Sequence, residues 1–342
     1  MIVDFINSIK VKAANNKKTI VLPEGRSRRV LEAASEISCE DVANIIVIGD
    51  RETAEAKVPD FDLDKVVFMH PSSFGRLGEM AETLYELRKH KGMTREEADL
   101  LVQDPSYFGM MLVKMGLADG LVAGAVHTTA DTLRPALQIL KTKPGTRLVS
   151  AYMLMIVPNS DKGSSGMFLM SDCALNVSPT PEELSEIALS SAESWIQLTG
   201  LEPRVAMLSY STLGSGIGEL PAKVAEATRL AREQAPDLRI DGEIQVDAAV
   251  SPFVAQVKAP DSVLQGSANC LIFPDLNAGN IGYKLVERLA NAQAFGPMLQ
   301  GIAKPVNDLS RGCSAKDVAG VIALTAVQAA AENSVMNGAR RA

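Results

Sequence analysis

The chain has 342 residues, 46% of them apolar and 22% charged, and carries a formal net charge of −7 at pH 7. This length suits about two domains, and the ordinary balance of apolar and charged residues argues against a disordered chain. Aromatic residues at 4% and the net negative charge argue against a nucleic-acid binder, although arginines can still gather in one pocket of an acidic protein.

Short apolar runs alternate with longer helical patterns, which predicts βα units and mostly parallel sheets. Thr19-Ile-Val-Leu-Pro23 reads as a strand stopped by proline, and 26–37 as a helix with Val30, Leu31, Ala34 and Ile37 on one face. Asn44-Ile-Ile-Val-Ile-Gly49 has the unbroken apolar character of a strand buried on both sides, and Val66-Val-Phe-Met69 is the next. Thr94-Arg-Glu-Glu97 is a capping box opening a helix, and Gly120-Leu-Val-Ala-Gly124 is a strand running into His127-Thr-Thr-Ala-Asp131. An apolar stretch over 148–157 suggests a crossing into a second domain near 147. Beyond it, Thr180-Pro-Glu-Glu183 opens a helix that continues to Trp195 and ends at Gly200. Val205-Ala-Met-Leu-Ser209, Ile244-Gln-Val-Asp247 and Cys270-Leu-Ile-Phe-Pro274 read as strands. A helix over 280–296 ends at Gly296-Pro297, which marks the return crossing. The last helix spans 314–331, and Asn337-Gly-Ala-Arg-Arg-Ala342 reads as a frayed tail. The expected organisation is a discontinuous domain of residues 1–147 plus 298–342, carrying the C-terminal helices, with residues 148–297 inserted as the second.

The densest chemical signal is Lys304-Pro-Val-Asn-Asp-Leu-Ser310-Arg311-Gly-Cys-Ser314-Ala-Lys-Asp317. Proline and the Asn-Asp pair favour a loop, after which a hydroxyl, a guanidinium and a carboxylate lead into a helix start. An arginine at a helix N-terminus combines a rigid donor fork with orphan backbone amides, which suits a phosphate. The same residues also form an S-x-x-D capping box, in which Asp317 does no more than satisfy amides. Local sequence leaves both readings standing.

Ligands of open α/β sheets sit beyond the carboxyl ends of strands, so polar clusters there carry weight. Arg26, Arg28 and Arg29 follow the first strand; His127, Thr128, Thr129, Asp131 and Arg134 follow the fourth. Ser209-Tyr-Ser-Thr-Leu-Gly-Ser215-Gly, Asp247 and Asp275 follow others. The plainer alternatives are a solvated helix face for the arginines, caps and turns for the threonines, and a hydrogen-bonded structural role for His127. Gly214-Ser-Gly216-Ile-Gly218 is G-x-G-x-G, a poor dinucleotide turn, and no P-loop motif occurs. Cysteines at 39, 173, 270 and 313 and histidines at 70, 90 and 127 lack metal-ligand or C-x-x-C spacing. No signal peptide or run of roughly 18 apolar residues is present, so a reduced cytoplasmic protein without membrane or nucleic-acid partners is expected.

Ordered blocks along most of the chain resemble the phosphate acetyltransferase (phosphotransacetylase) family. They are Leu22-Pro-Glu-Gly, Ala118-Asp-Gly-Leu-Val-Ala-Gly-Ala, Thr129-Ala-Asp-Thr-Leu-Arg-Pro-Ala136, Asp241-Gly-Glu-Ile-Gln-Val-Asp-Ala-Ala249, Phe273-Pro-Asp-Leu-Asn-Ala-Gly-Asn280-Ile-Gly-Tyr-Lys284, Gly296-Pro-Met-Leu-Gln-Gly-Ile-Ala-Lys-Pro305 and Asn307-Asp-Leu-Ser-Arg-Gly312. The resemblance implies two α/β/α domains with mostly parallel sheets, like those of isocitrate and isopropylmalate dehydrogenases, an active site in the cleft between them, and a homodimer. It implies reversible acetyl transfer between acetyl phosphate and coenzyme A, giving acetyl-CoA and phosphate. The thiol attacks directly in a ternary complex, with coenzyme A as a substrate and no metal or bound cofactor. By the same resemblance Asp317 would take the thiol proton, Arg311 would hold phosphate and stabilise the transition state, and Ser310 would assist. Arg29, Arg88 and Arg134, with Thr128 and Thr129, would bind substrate or coenzyme A. Leu213 stands where family members commonly carry lysine.

Ordinary Asp and thiol pKa values of about 3.9 and about 8.5 differ by roughly 4.6 units, or ~6 kcal/mol. A carboxylate base therefore works only if the proton moves as the S–C bond forms, or if the site shifts both values. The nearest rival is a phosphate butyryltransferase-like enzyme with a larger acyl pocket. A decarboxylating dehydrogenase relative should show a sound dinucleotide fingerprint, and a noncatalytic module should have lost Ser310, Arg311 or Asp317.

Overall fold

The computed structural model describes residues 2–339 and divides into two compact units, one of residues 145–301 and one of 3–144 with 302 onward. In chain order the strands are β1 (Thr19–Leu22), β2 (Asn44–Ile48), β3 (Val67–Met69), β4 (Gly120–Val122), β5 (Ser150–Ile156), β6 (Met167–Ser171), β7 (Arg204–Leu208), β8 (Arg239–Ile244), β9 (Cys270–Ile272), β10 (Gln293–Gln300) and β11 (Val306–Asn307).

The discontinuous unit holds a parallel sheet in the order β3-β2-β1-β4-β11. Ile20, Val21, Leu22 and Leu121 are fully buried, which is why these strands read as unbroken apolar runs: helices cover both faces. The Arg28–Cys39 helix buries Val30, Leu31, Ala33, Ala34 and Ile37 and packs against the last helix, Ala315–Ala339. The Pro105–Lys114 helix, capped by Asp104, lies on β1 and β4. The tail expected over 337–342 begins inside the last helix, and residues 340–342 lie outside the described residues.

The unit of 145–301 has a mixed sheet in the order β10-β5-β6-β9-β7-β8. Strand β5 runs antiparallel to both neighbours, and β6, β9, β7 and β8 are parallel. Its interior holds a polar node at Gln300, whose Nε2 donates to Ser150 Oγ (2.8 Å) and Ser191 Oγ (3.0 Å) while Ser194 Oγ donates to Oε1 (2.9 Å). Buried amides are retained only with such partners.

Three expectations are corrected here. Ile244-Gln-Val-Asp247 is no strand: β8 ends at Ile244 and a Val246–Val250 helix follows. The helix expected over 280–296 is Leu276–Leu289. Gly296-Pro297 lies within β10, where the register shifts between Phe295 and Met298. Proline cannot donate to a ladder, and an irregularity of this kind is where a strand tolerates it.

Candidate active site

The eight residues singled out in the sequence all lie in the discontinuous unit. The Ser310–Asp317 corner follows β11, and Ser310 and Arg311 are exposed. No hydrogen bond or ion pair of the Arg311 side chain is seen among the described residues, so its fork is open to a ligand. Asp317 is half-buried, and its Oδ2 accepts from Ser314 N (2.7 Å) and Ser314 Oγ (2.8 Å), while Asp317 N donates to Ser314 Oγ (3.2 Å). The capping box is therefore formed. All of these bonds to the carboxylate use Oδ2, which leaves Oδ1 as the oxygen available for a proton, so the two readings of Asp317 are compatible.

Arg29 lies half-buried in the first turn of the Arg28–Cys39 helix. Its Nη1 donates to the carbonyls of Arg311 (2.9 Å) and Cys313 (2.6 Å), and its Nη2 to the carbonyl of Ala125 (2.8 Å). One guanidinium thus ties the loop after β4 to the Arg311 corner. Arg28 instead pairs with Glu32 at 2.7 Å on an exposed face, the solvated role that was the plainer alternative.

The loop after β4 is organised by Glu24, a carboxylate just beyond β1 whose side chain is only 2% exposed. It accepts from the amides of Ala125 (2.8 Å), Val126 (2.9 Å) and His127 (2.9 Å), and from His127 Nδ1 (2.8 Å). His127 is thereby a structural residue. Thr128 caps the Thr129–Ile139 helix in a reciprocal box with Asp131, and the Thr128 hydroxyl and amide hold the Asp131 carboxyl below its usual range. Thr129 Oγ1 donates to Asp308 Oδ2 at 2.5 Å, a second tie to the segment carrying Ser310. Asp308 is buried, and burial pushes its carboxyl up to about 6.

The Thr129–Ile139 helix continues to Arg134 and Gln138. Tyr107 Oη donates to Gln138 Oε1 (2.8 Å), and burial raises the Tyr107 phenol against the opposing charges of Arg134 and Arg88. A cavity of about 460 Å³ is lined by Arg88, Lys91, Glu97, Leu100, Tyr107 and Gln138, among others. Arg88 Nε is buried there without a hydrogen-bond partner. Arg29 and Thr129 thus tie the loop after β4 and the helix behind it to the segment carrying Ser310, Arg311 and Asp317. Thr128 and Asp317 bond within their own helix caps, and the charges of Arg88 and Arg134 both act on Tyr107.

Sequence reasoning named neither Glu24 nor Asp308 as site residues, although both lie in the recognised blocks. A carboxylate directly after an apolar strand, as in Leu22-Pro-Glu24, was the available signal. Leu213 lies in the other unit, 46% exposed, on a loop held by Glu243, whose Oε1 accepts from Ser211 Oγ (2.9 Å) and Gly214 N (2.7 Å). Asp275 caps the Leu276–Leu289 helix, and Asp247 pairs with Lys258 at 2.7 Å. Among the described residues no three His, Cys, Asp or Glu side chains converge as a metal centre requires.

At the strand ends of this parallel α/β sheet, where ligands of such sheets sit, the chain gathers arginines, hydroxyls and one open carboxylate oxygen. The chain belongs to the phosphate acetyl/butaryl transferase family, whose model matches residues 4–326. It is 54% identical over 325 residues to a phosphate acetyltransferase of Acetivibrio thermocellus, covering 95% of this chain and 98% of that one. It is 46% identical to one of Bacillus subtilis over 328 residues, covering 95% and 99%. A solved phosphotransacetylase from Streptococcus pyogenes superposes with a TM-score of 0.89 at 44% identity, covering 96% of this chain and 99% of that one.

Proposed function

We propose that this enzyme transfers an acetyl group reversibly between acetyl phosphate and coenzyme A. Membership of the transferase family and the identity to phosphate acetyltransferases support the reaction. The observation that carries the site is the framework in which Arg29 and Asp308 hold the Ser310–Asp317 corner beside Thr128 and Thr129.

In this reading the coenzyme A thiol attacks the acyl carbon while Asp317 Oδ1 takes its proton as the S–C bond forms. The tetrahedral oxygen and the phosphate both gain negative charge, which the Arg311 fork and the Ser310 hydroxyl meet. Charge stabilisation of this kind is worth more where the donors are already oriented. The C–O bond to phosphate then breaks, and phosphate leaves with the proton relayed from Asp317. Thr129 meets the phosphoryl end, with backbone amides of the Thr129–Ile139 helix start contributing partial positive charge, and Thr128 holds that helix start through its box with Asp131. Arg29 acts mainly by holding the Arg311 loop. Arg88, which lines the Tyr107 cavity, and Arg134, whose charge also acts on Tyr107, suit the phosphates of coenzyme A, and the unpartnered Arg88 Nε supports that assignment.

A homodimer is part of the same proposal. Ile281, Leu285 and Leu289 repeat every four residues along the Leu276–Leu289 helix and are 57%, 52% and 79% exposed, a stripe suited to a second copy. A cytoplasmic location is proposed as well: among the described residues no helix is long and apolar enough to cross a membrane, and the four cysteines are free.

The test mixes purified enzyme with acetyl phosphate and coenzyme A in EDTA and follows thioester absorbance, with butyryl phosphate in parallel. Rapid thioester formation from acetyl phosphate is expected. Turnover with butyryl phosphate alone would move the enzyme to the longer acyl chain, and no turnover with either would remove the proposed reaction.

A further inference from the structure

Asp308, directly after β11, is 1% exposed. Its Oδ2 accepts from the Thr129 hydroxyl, and its Oδ1 is buried with no hydrogen bond of ordinary geometry. The Leu309 amide and the Thr132 hydroxyl favour the charged form, but the Thr132 oxygen is itself buried without a formed bond. Gly124 closes over the carboxyl: its φ is +104°, and a Cβ there would stand 2.2 Å from Oδ1. Water is thereby kept from the side of the carboxyl that lacks a partner. Burial accordingly raises this group to about 6, with the charge of Glu24 adding to the rise.

An ionised carboxylate only accepts hydrogen bonds, and a hydroxyl has one hydrogen to give. While Asp308 is charged, the Thr129 hydrogen is committed to it, and Thr129 turns only lone pairs outward. That is the wrong polarity for a phosphoryl oxygen. We propose that binding of the acyl-phosphate dianion at the Thr128–Thr129 end drives uptake of one proton by Asp308, which then donates to Thr129 Oγ1 and frees the Thr129 hydrogen for the substrate. Asp308 is in this sense a positioning residue, and the inference rests on the proposed contact between Thr129 and substrate.

Asp308 differs from the neighbouring carboxylates in having a buried oxygen without a partner. Glu24 is saturated by three amides and His127 Nδ1. Asp131 is held below its usual range by its own helix cap, and Asp317 keeps Oδ1 for the proton of the coenzyme A thiol, which is absent when acetyl phosphate binds alone. Arg29, Arg134 and Arg311 remain cations throughout. An incoming dianion raises the Asp308 pKa further, because like charges disfavour ionisation. Proton uptake is therefore expected above about pH 6, up to the raised value, and falls away as the pH drops below about 6, where the free enzyme increasingly holds the proton.

The experiment is calorimetric titration of wild-type enzyme with acetyl phosphate at pH 7 in buffers of different ionisation enthalpy. The expected result is uptake approaching one proton per site in wild type and none in Asp308→Asn, whose amide can donate to Thr129 permanently. The KM of that variant for acetyl phosphate should also lose its pH dependence between about pH 6 and 8, a change that simple destabilisation would not produce. Binding without proton uptake by wild type overturns the inference, as does uptake that persists in a folded Asp308→Asn. Failure of acetyl phosphate to bind at all removes the functional reading and this inference with it.

Discussion

Glu24→Gln tests whether one buried carboxylate organises the loop that leads to Thr128 and Thr129. In the native protein Oε1 accepts from the Val126 and His127 amides and the His127 ring, while Oε2 accepts from the Ala125 amide. Glutamine keeps one acceptor and turns an NH2 group toward a donor, so one charge-assisted bond is lost and an amide is left buried. The remaining bonds also lose their charge. A hydrogen bond to a charged group contributes about 1.5–3 kcal/mol, so a local loss of about 3 kcal/mol is expected. Hydrogen exchange is the suitable assay, because a chain of two compact units need not unfold in one step. The amides of 125–127 should exchange ~100-fold faster, at about 1.4 kcal/mol per tenfold, with protection in β2 unchanged. Turnover should fall as well, since Ala125 anchors Arg29 and through it the Arg311 loop. Unchanged protection at 125–127 would refute the claim that Glu24 holds this loop.

Three further outcomes follow from the same geometry. Arg311→Lys keeps the charge but loses the fork, and kcat should drop on the order of 10²-fold or more; near-normal turnover would remove Arg311 from transition-state stabilisation. Asp317→Asn should lose turnover by about 10²–10⁴-fold with a melting change of only about 1 kcal/mol, whereas equal modest losses in both would leave Asp317 as a cap alone. Burial pushes the Cys313 thiol up, so at neutral pH iodoacetamide should label exposed Cys39 well before Cys313; mass mapping that shows Cys313 labelled first would contradict its burial.

Features that depend on neighbours along the chain were legible without coordinates. The boxes Thr94/Glu97, Thr180/Glu183 and Ser314/Asp317 all form, because a cap needs only a hydroxyl and a carboxylate three residues apart. The Thr128/Asp131 box has the same spacing and also forms, which bears out the cap among the plainer readings of Thr128. Strands β1, β2 and β4 were recognisable from their buried apolar runs. Strand β10 was not, since Gly296-Pro297 resembles a break until its pairing with β5 shows an irregularity within a ladder.

Sequence by itself determined the α/β class and the family, and it singled out the Ser310–Arg311–Asp317 cluster, because each follows from local periodicity or from ordered blocks of residues. Only the tertiary structure decided what Glu24, Arg29 and Asp308 do. Glu24 meets its partners about a hundred residues away, Arg29 reaches carbonyls of Ala125, Arg311 and Cys313, and Asp308 meets Thr129. A carboxylate or guanidinium states its charge in the sequence; whether that charge faces water, a substrate or a ring of backbone groups depends on which distant strand ends the sheet brings together.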